Sequence, residues 1–309
     1  MRSPLEALDR VAHAAALLGA LAARDVPLGA RTTYRAGGRA ALLAEVAQVE
    51  DVAVVAGAVE ASGIEVLVVG NGSNLLVPDR GFAGLAVVLG EGLAGVEPDG
   101  PAATVVAGGA VPYPVLARAC VAAGLRGMEW AVGIPGSVGG AVAMNAGGHG
   151  SETSDRLVRA LLVDLRTGAS RSVGPRDLDL AYRRSNVRAD EIVVEAEFAC
   201  ERGDAAAGAE EIASIVRWRR EHQPGGRNAG SVFRNPPGGS AGQLVEAAGM
   251  KGARVRSAQV SEKHANFIQL ETGGRADDVL ELVEVVREAV AERTGVELAV
   301  ELRVAGAAR

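Results

Sequence analysis

Apolar residues along this chain switch between two periods. Spacings of three and four, the helical period, occur at 11–23, 46–62, 113–123, 210–221, 241–248 and 277–293. Several of these runs carry their own punctuation. Gly63 follows the second, Pro112 precedes and Gly124 follows the third, and Pro224-Gly225-Gly226 stops the fourth. Shorter runs bounded by Gly or Pro predict strands at 64–69, between 85 and 106, and at 157–165, 171–173, 192–199, 255–260, 265–270 and 296–304. The segment 32–38 reads as a short strand closing in a glycine turn, and the helix at 46–62 with its following strand reads as a βαβ-like unit. Composition shifts at Gly203-Asp204-Ala205-Ala206-Ala207-Gly208, which reads as a linker into a smaller α+β domain. There is no internal repeat.

Composition narrows the class. A chain of 309 residues with 48% hydrophobic content has enough material for two or three cores. Aromatics are scarce at 3%, which argues against stacking platforms for single-stranded nucleic acid. The net charge of −6 leaves no broad basic footprint for nucleic acid or anionic lipid, so neither is expected as a partner. The run 11–23 is too short to span a bilayer, is flanked by Glu6 and Asp9 and contains His13, so an N-terminal helix and a cytoplasmic location are expected rather than a signal peptide. Cys120 and Cys200 stand eighty positions apart, and His13, His149, His222 and His264 form no His-x-x-x-His pair; no metal site is expected.

Two glycine-rich stretches carry the candidate chemistry. From Gly133 to Gly150, seven of eighteen residues are glycine and the polar ones are small. The second stretch, Gly70-Asn71-Gly72-Ser73-Asn74, directly follows an apolar run. Glycine lets a ligand touch the main chain, and convergent backbone N–H groups bind anions. Strand then glycine loop is a common layout for a phosphate cradle. Neither stretch completes a dinucleotide fingerprint or a P-loop motif, so the pattern alone leaves the nucleotide unidentified.

With further short runs, these stretches resemble one family, the flavoprotein UDP-N-acetylenolpyruvoylglucosamine reductases. The matching runs are Thr32-Thr33-Tyr34-Arg35-Ala36-Gly37-Gly38, Gly70 to Leu76, Gly133 to Gly148, Tyr182-Arg183-Arg184-Ser185, Asn228 to Pro236, and Glu301-Leu302-Arg303, in the family's order. The resemblance implies an α+β protein. A two-subdomain FAD-binding domain of the PCMH/vanillyl-alcohol-oxidase-like kind would cover 1–203, with subdomains 1–77 and 78–203, and an α+β substrate-binding domain 204–309. It implies NADPH-dependent reduction of an enolpyruvyl group to a lactyl group on a UDP-sugar, in peptidoglycan precursor synthesis, by a monomer.

The resemblance also implies residue roles. Noncovalent FAD would be held by Tyr34, Arg35, Gly70, Asn71, Gly72, Ser73, Asn74, Gly133, Ile134, Pro135, Gly136, Ser137, Gly139, Gly140, Ala141, Asn145, Ala146 and Gly147. The catalytic set would be Arg183, Ser231 and Glu301: Ser231 as proton donor to the substrate carbon, the other two polarising the carboxylate. An arginine fork suits a carboxylate, while a glutamate sharing that carboxylate's site is expected to be protonated when substrate is bound. Tyr182, Arg219 and Asn235 would contact substrate, with Lys263, His264 and Asn266 in a nearby segment.

The chain departs from the family pattern at Gly148 and His149 (commonly alanine and tyrosine), at Arg234 and His222 (commonly lysine) and after His264. Two other readings remain open. A flavin oxidase of sugars or hydroxy acids shares the expected fold, but many such enzymes attach flavin through a histidine that this first glycine loop lacks. A flavin-binding protein without catalysis would not need Arg183, Ser231 and Glu301 together.

Overall fold

The computed structural model describes residues 4–307. In chain order the elements are α1 (Pro4–Leu18), β1 (Ala22–Val26), β2 (Ala40–Val46), α2 (Val49–Ser62), β3 (Val66–Val69), β4 (Leu75–Leu76), β5 (Phe82–Leu89), β6 (Val96–Asp99), β7 (Thr104–Gly108), α3 (Tyr113–Ala122), β8 (Leu125–Arg126) and α4 (Val138–Met144). There follow β9 (Gly147–Gly148), β10 (Ser151–Glu152), β11 (Leu157–Asp164), β12 (Ser170–Val173), β13 (Glu191–Ala199), β14 (Glu201–Arg202), α5 (Ala205–His222), α6 (Ala241–Ala247), β15 (Arg254–Val255), β16 (Ala258–Val260), β17 (Ile268–Leu270), α7 (Ala276–Thr294) and β18 (Arg303–Val304).

These elements form two compact units that interleave along the chain. One comprises 1–25, 41–71 and 83–219; the other comprises 26–40, 72–82 and 220–309. The first unit carries a four-stranded sheet, order β1-β2-β5-β3, and a five-stranded sheet, order β12-β11-β13-β7-β6. β3 and β5 pair in parallel, whereas each neighbouring pair of the larger sheet is antiparallel. Two apolar clusters fill this unit. One gathers Ala14, Leu18, Val55 and Val59 of α1 and α2 against Leu42, Leu85 and Val87 of the smaller sheet; the other packs Leu116, Cys120, Val138 and Val142 of α3 and α4 on Val105, Leu162 and Phe198 of the larger. β13 explains its own central place: Ile192, Val193 and Val194 are all buried, and Ala196 and Phe198 continue on alternate positions.

The second unit builds its core on α7. Val279, Leu282, Val283, Val286 and Val290 recur at helical spacing and are all buried. They face the antiparallel sheet β15-β16-β17 and Tyr34, Leu76, Val245 and Phe233. Asp79 caps the helix, its Oδ1 accepting the Ala276 amide at 3.1 Å.

Several sequence expectations require correction. Residues 32–38 form turns, not a strand: the Thr33 amide donates to Gly72, and Gly37 at φ +107° runs so close to the Val77 carbonyl that a Cβ would stand 1.9 Å from it. The N-terminal helix ends at Leu18, and Ala22–Val26 goes to the sheet edge. The linker expected at 203–208 is largely absorbed into α5, because three consecutive alanines favour the helix. The strand expected at 296–304 survives only as β18 and an isolated bridge between Phe233 and Val300. Finally, the stretch 133–150 is not an open loop: it contains α4, capped by Ser137 and closed by Asn145 in the left-handed conformation.

Candidate active site

Two glycine stretches meet in the first unit. Asn71 Nδ2 donates to the Pro135 carbonyl at 3.3 Å, and a Cβ on Gly70 would stand 2.5 Å from Ser137 Oγ. A side chain at 70 would displace the Ser137 hydroxyl that caps α4. Ser137 Oγ accepts the Gly140 amide at 3.2 Å, while the Val138 and Gly139 amides donate to the carbonyls of Val111 and Gly109. The first turn of α4 thus spends its amides inside the protein, contrary to the picture of the whole stretch as an anion cradle. Among the described residues, the amides of Asn71, Gly136 and Ser137 take no protein acceptor. These remain for an anion at the junction, which contains no carboxylate. The donor set and the close backbone approach fit a diphosphate such as that of FAD.

The far end of α4 positions Arg183. Asn145, fully buried, donates from Nδ2 to the Ala181 carbonyl at 3.1 Å and accepts the Ser154 amide on Oδ1 at 2.9 Å. Ser185 Oγ donates to the Ala143 carbonyl at 2.8 Å, closing the other side of the Ala181–Arg184 turn. Thr153, also buried, donates to the Ala146 carbonyl at 2.9 Å and contacts the Tyr113 hydroxyl. Within this turn Arg183 adopts φ +55°, a conformation that non-glycine residues rarely hold without support. One of its guanidinium nitrogens donates to the Gly147 carbonyl at 2.8 Å, and its carbon lies 5.2 Å from the centre of the exposed Tyr182 ring. Asn145 therefore serves Arg183; its carboxamide is already engaged on both atoms. Ser185 belongs to the matching run, but its part in closing the turn, like that of Thr153, had no signal in the sequence.

Gly133 brings Arg219 into the same unit's candidate set. A Cβ there would stand 3.1 Å from His149 Cδ2 and 3.6 Å from Arg219 Cδ. His149 meets the Trp218 ring edge-on at 5.0 Å. Burial, and next the charge of Arg219, hold the His149 imidazole below its usual range. Burial also lowers the Arg219 guanidinium. The expected tyrosine position is thus filled by an imidazole biased toward its neutral form, packed on a tryptophan that the sequence reading did not single out.

In the second unit, backbone pairing brings Ser231, Glu301 and Asn74 into one neighbourhood. The Glu301 amide donates to the Val232 carbonyl at 2.8 Å, Asn74 Nδ2 donates to the Glu301 carbonyl at 3.2 Å, and the Arg303 amide donates to Asn74 at 3.1 Å. Ser231 pairs with Phe267 on its other side. Asn266, 4% exposed, locks the segment: its Oδ1 accepts the Phe233 amide at 2.9 Å, its Nδ2 donates to the Phe233 carbonyl at 2.8 Å, and its own carbonyl accepts the Val232 amide. Asn235 Oδ1 accepts the Ala241 amide at the start of α6. His264 accepts the Asn266 amide on Nδ1 at 3.2 Å and meets the Phe267 ring edge-on at 4.8 Å. Burial, with Lys251 adding to it, lowers its imidazole pKa. Lys263 Nζ donates to the Arg220 carbonyl.

Tyr34 is anchored by its surroundings. Its ring is fully buried, its hydroxyl donates to the Ile268 carbonyl at 3.0 Å, and burial raises its pKa. A side chain so enclosed belongs to the core of the second unit and holds the turn that exposes Arg35 at φ +51°. Gly72 packs against the Arg31 carbonyl, and the Ser73 and Asn74 amides take no protein acceptor among the described residues.

Among the described residues no cluster of His, Cys, Asp and Glu could hold a metal, and no helix is long and apolar enough to cross a membrane.

Comparison with known proteins agrees with these features. Residues 40–174 match the family described as FAD binding domain, and 222–305 match the UDP-N-acetylenolpyruvoylglucosamine reductase C-terminal domain. The reductase of that name from Rubrobacter xylanophilus is 42% identical over 91% of this chain and 94% of its own; that of Heliobacterium modesticaldum is 44% identical over 91% and 89%. The crystal structure of the Thermus caldophilus enzyme superposes with a TM-score of 0.79 at 34% identity, covering 91% of this chain and 97% of that one. A glucose dehydrogenase, Phl p 4.0202, shares the fold alone, with a TM-score of 0.50 at 15% identity over 69% of this chain and 50% of its own. With identity of this order along nearly the whole length of its relatives, and with a flavin-type domain ahead of the reductase-specific one, the chain belongs to the UDP-N-acetylenolpyruvoylglucosamine reductase family.

Proposed function

We propose that this protein is an FAD-dependent oxidoreductase that uses NADPH to reduce the enolpyruvyl ether of a UDP-N-acetylglucosamine to the lactyl ether of UDP-N-acetylmuramate, a step of peptidoglycan precursor synthesis. The observation that carries the reading is the junction of Gly70-Asn71 with Pro135-Gly136-Ser137. Its uncommitted amides and lack of side-chain bulk suit the diphosphate of FAD. Bound there without a covalent link, FAD would supply the hydride chemistry that side chains cannot perform.

The protein's own work is to hold the substrate and move a proton. Hydride addition to one carbon of an enol ether beside a carboxylate leaves negative charge on the other carbon. Arg183 pairs with the carboxylate as a planar fork, so that electron density drawn onto it is neutralised. Ser231 gives its hydroxyl proton to the carbanionic carbon, and Glu301 adds a hydrogen bond to the same carboxylate when protonated. Tyr182, Arg219 and Asn235 contact the rest of the nucleotide sugar. We assign the flavin to residues within 1–203 and the substrate chiefly to residues within 204–309, with Tyr182 and Arg183 adding contacts to the substrate.

The decisive experiment follows the flavin absorbance of the purified protein. NADPH bleaches it, and the enolpyruvyl nucleotide sugar restores it at the rate of turnover. Colour that remains with the protein after acid precipitation would contradict noncovalent binding. Rapid oxygen consumption with a sugar and no NADPH would replace this reading with an oxidase, and a flavin that NADPH cannot bleach would replace it with a binding protein.

A further inference from the structure

The chain holds nine large aromatic residues: two Trp, three Tyr and four Phe. Seven of them are buried, none more than 5% exposed, and supply the large apolar area that such rings bring to a core. The two that stand in water, Tyr182 at 49% and Trp218 at 44%, both belong to the first unit. They flank one feature, the hairpin in which His149 and Gly150 join β9 to β10. The Tyr182 ring lies against Arg183, whose guanidinium donates to the hairpin carbonyl of Gly147 at 2.8 Å. Trp218 meets the His149 ring at the tip of the hairpin, edge-on at 5.0 Å. The proposed reaction gives Tyr182 a substrate contact and leaves Trp218 without a task.

Trp218 is exposed against the pattern of its own helix. In α5 the buried stripe runs through Gly208, Ile212 and Ile215, and the next position at that spacing is Arg219. The arginine takes the half-buried place, and the indole beside it goes to solvent. Natural chains break the apolar pattern in this way at functional sites. The hairpin then fixes the indole's neighbour. His149 at φ +55° and Gly150 at φ +85° are the two left-handed residues that a two-residue hairpin takes. Gly133 makes room for the ring, because a Cβ there would stand 3.1 Å from His149 Cδ2 and 3.6 Å from Arg219 Cδ. His149 thus contacts both Gly133 and Trp218, and partial burial, with the charge of Arg219 adding to it, favours its neutral form.

We propose, on the basis of the reductase reading, that Trp218 is a further ligand-binding residue. Its indole stacks on the planar base of a nucleoside diphosphate group whose phosphates meet Arg219, and His149 is the positioning residue that braces the indole. An exposed aromatic face beside a half-buried cation matches a ligand that carries a π ring and a negative diphosphate. Both reactants of the proposed reaction bring that chemistry, uracil on the nucleotide sugar and adenine on NADPH. Stacking reads the face of a base and not its edge, so the shelf accepts either ring.

Calorimetric titration of the full-length, FAD-loaded protein with UDP, with NADP+ and with inorganic pyrophosphate tests this. Trp218→Leu should weaken UDP, NADP+ or both by about 10-fold and leave pyrophosphate binding unchanged. Trp218→Phe, which keeps a π face, should recover most of the loss. His149→Ala should weaken the same nucleotide by a smaller factor, and His149→Tyr, which restores a ring, should recover it. A loss for UDP assigns the shelf to the nucleotide sugar, and a loss for NADP+ assigns it to the reductant. In turnover, Trp218→Leu should raise KM for the assigned reactant more than it lowers kcat. Unchanged binding of both nucleotides, or an equal loss for pyrophosphate, would overturn the proposal. Because Trp218 is exposed, the variants keep the fold, which circular dichroism checks. A protein that binds nucleotide through Trp218 but never reduces the enolpyruvyl sugar fails the reductase reading alone. One that turns over with affinities indifferent to Trp218 fails the shelf alone.

Discussion

Arg183 and Ser231 are held in place by the same device on two different backbones. Asn145 grips the turn that carries Arg183, and Asn266 grips the extended segment that carries Ser231; each buried asparagine spends both a donor and an acceptor on main-chain groups. The supports around them differ. The Arg183 turn bends through a positive φ and rests on side-chain contacts from Asn145 and Ser185. Ser231 sits in a ladder, with Phe267 on one side and Glu301 bonded to the next residue on the other. A paired strand distributes its geometry over many bonds, whereas a tight turn concentrates it in few. The turn should therefore lose function before stability, and the strand stability along with function.

The largest effect expected comes from Ser231→Ala, which removes the proposed proton donor without disturbing the ladder. Turnover should fall by about 10²–10⁴-fold while bleaching of the flavin by NADPH persists. An unchanged turnover would move the proton to another group. Next comes Arg183→Lys, which keeps the charge but not the fork; kcat/KM should drop by roughly 10²-fold, read from steady-state NADPH oxidation.

The two clamps sharpen the comparison itself. Asn266→Ala leaves the Phe233 amide and carbonyl without their partner and should cost about 1–3 kcal/mol in urea unfolding. Asn145→Ala should cost a similar amount by the same reckoning yet lower kcat more, because the Arg183 turn has fewer supports. Equal losses of kcat in the two variants would erase the distinction. Glu301→Gln tests whether the carboxyl is protonated in the complex. Substrate affinity measured by titration should match wild type, and a clear fall in affinity with turnover retained would count against a protonated Glu301.

The smallest effect is a pH dependence near Ser231. Burial holds His264 below its unfolded pKa, with Lys251 adding to the effect, so the unfolded chain binds the proton more readily than the folded one. Stability contributed by neutral His264 is present above the unfolded value of about 6.5 and declines as pH falls below it. Protonation at Nδ1 would also forfeit the bond from the Asn266 amide. Unfolding free energies measured between pH 7 and 5 should fall with pH, and His264→Gln should flatten that slope.

Much of this was legible in order along the chain. Apolar periodicity and glycine stops located α2, α3 and α7, because local spacing and capping are enough to set a helix that buries one face. The matching runs named Arg183, Ser231 and Glu301 because each lies within a short distinctive segment. Other features depended on partners far away in sequence. The glycine content around α4 suggested an open loop, but Ser137 and Asn145 cap a helix there and its first amides are taken by Gly109, Val111 and Ser137. The bond from the Tyr34 hydroxyl to the Ile268 carbonyl, across more than two hundred positions, had no local signal.

The sequence by itself determined where the helices start, which segments are glycine-permissive and which side chains have the chemistry, since those properties are local to each segment. Only the tertiary structure decided which backbone amides remain uncommitted and which asparagines are clamps. Each of those depends on what a residue meets across a gap of tens to hundreds of positions, and hydrogen bonding and burial are properties of the pair.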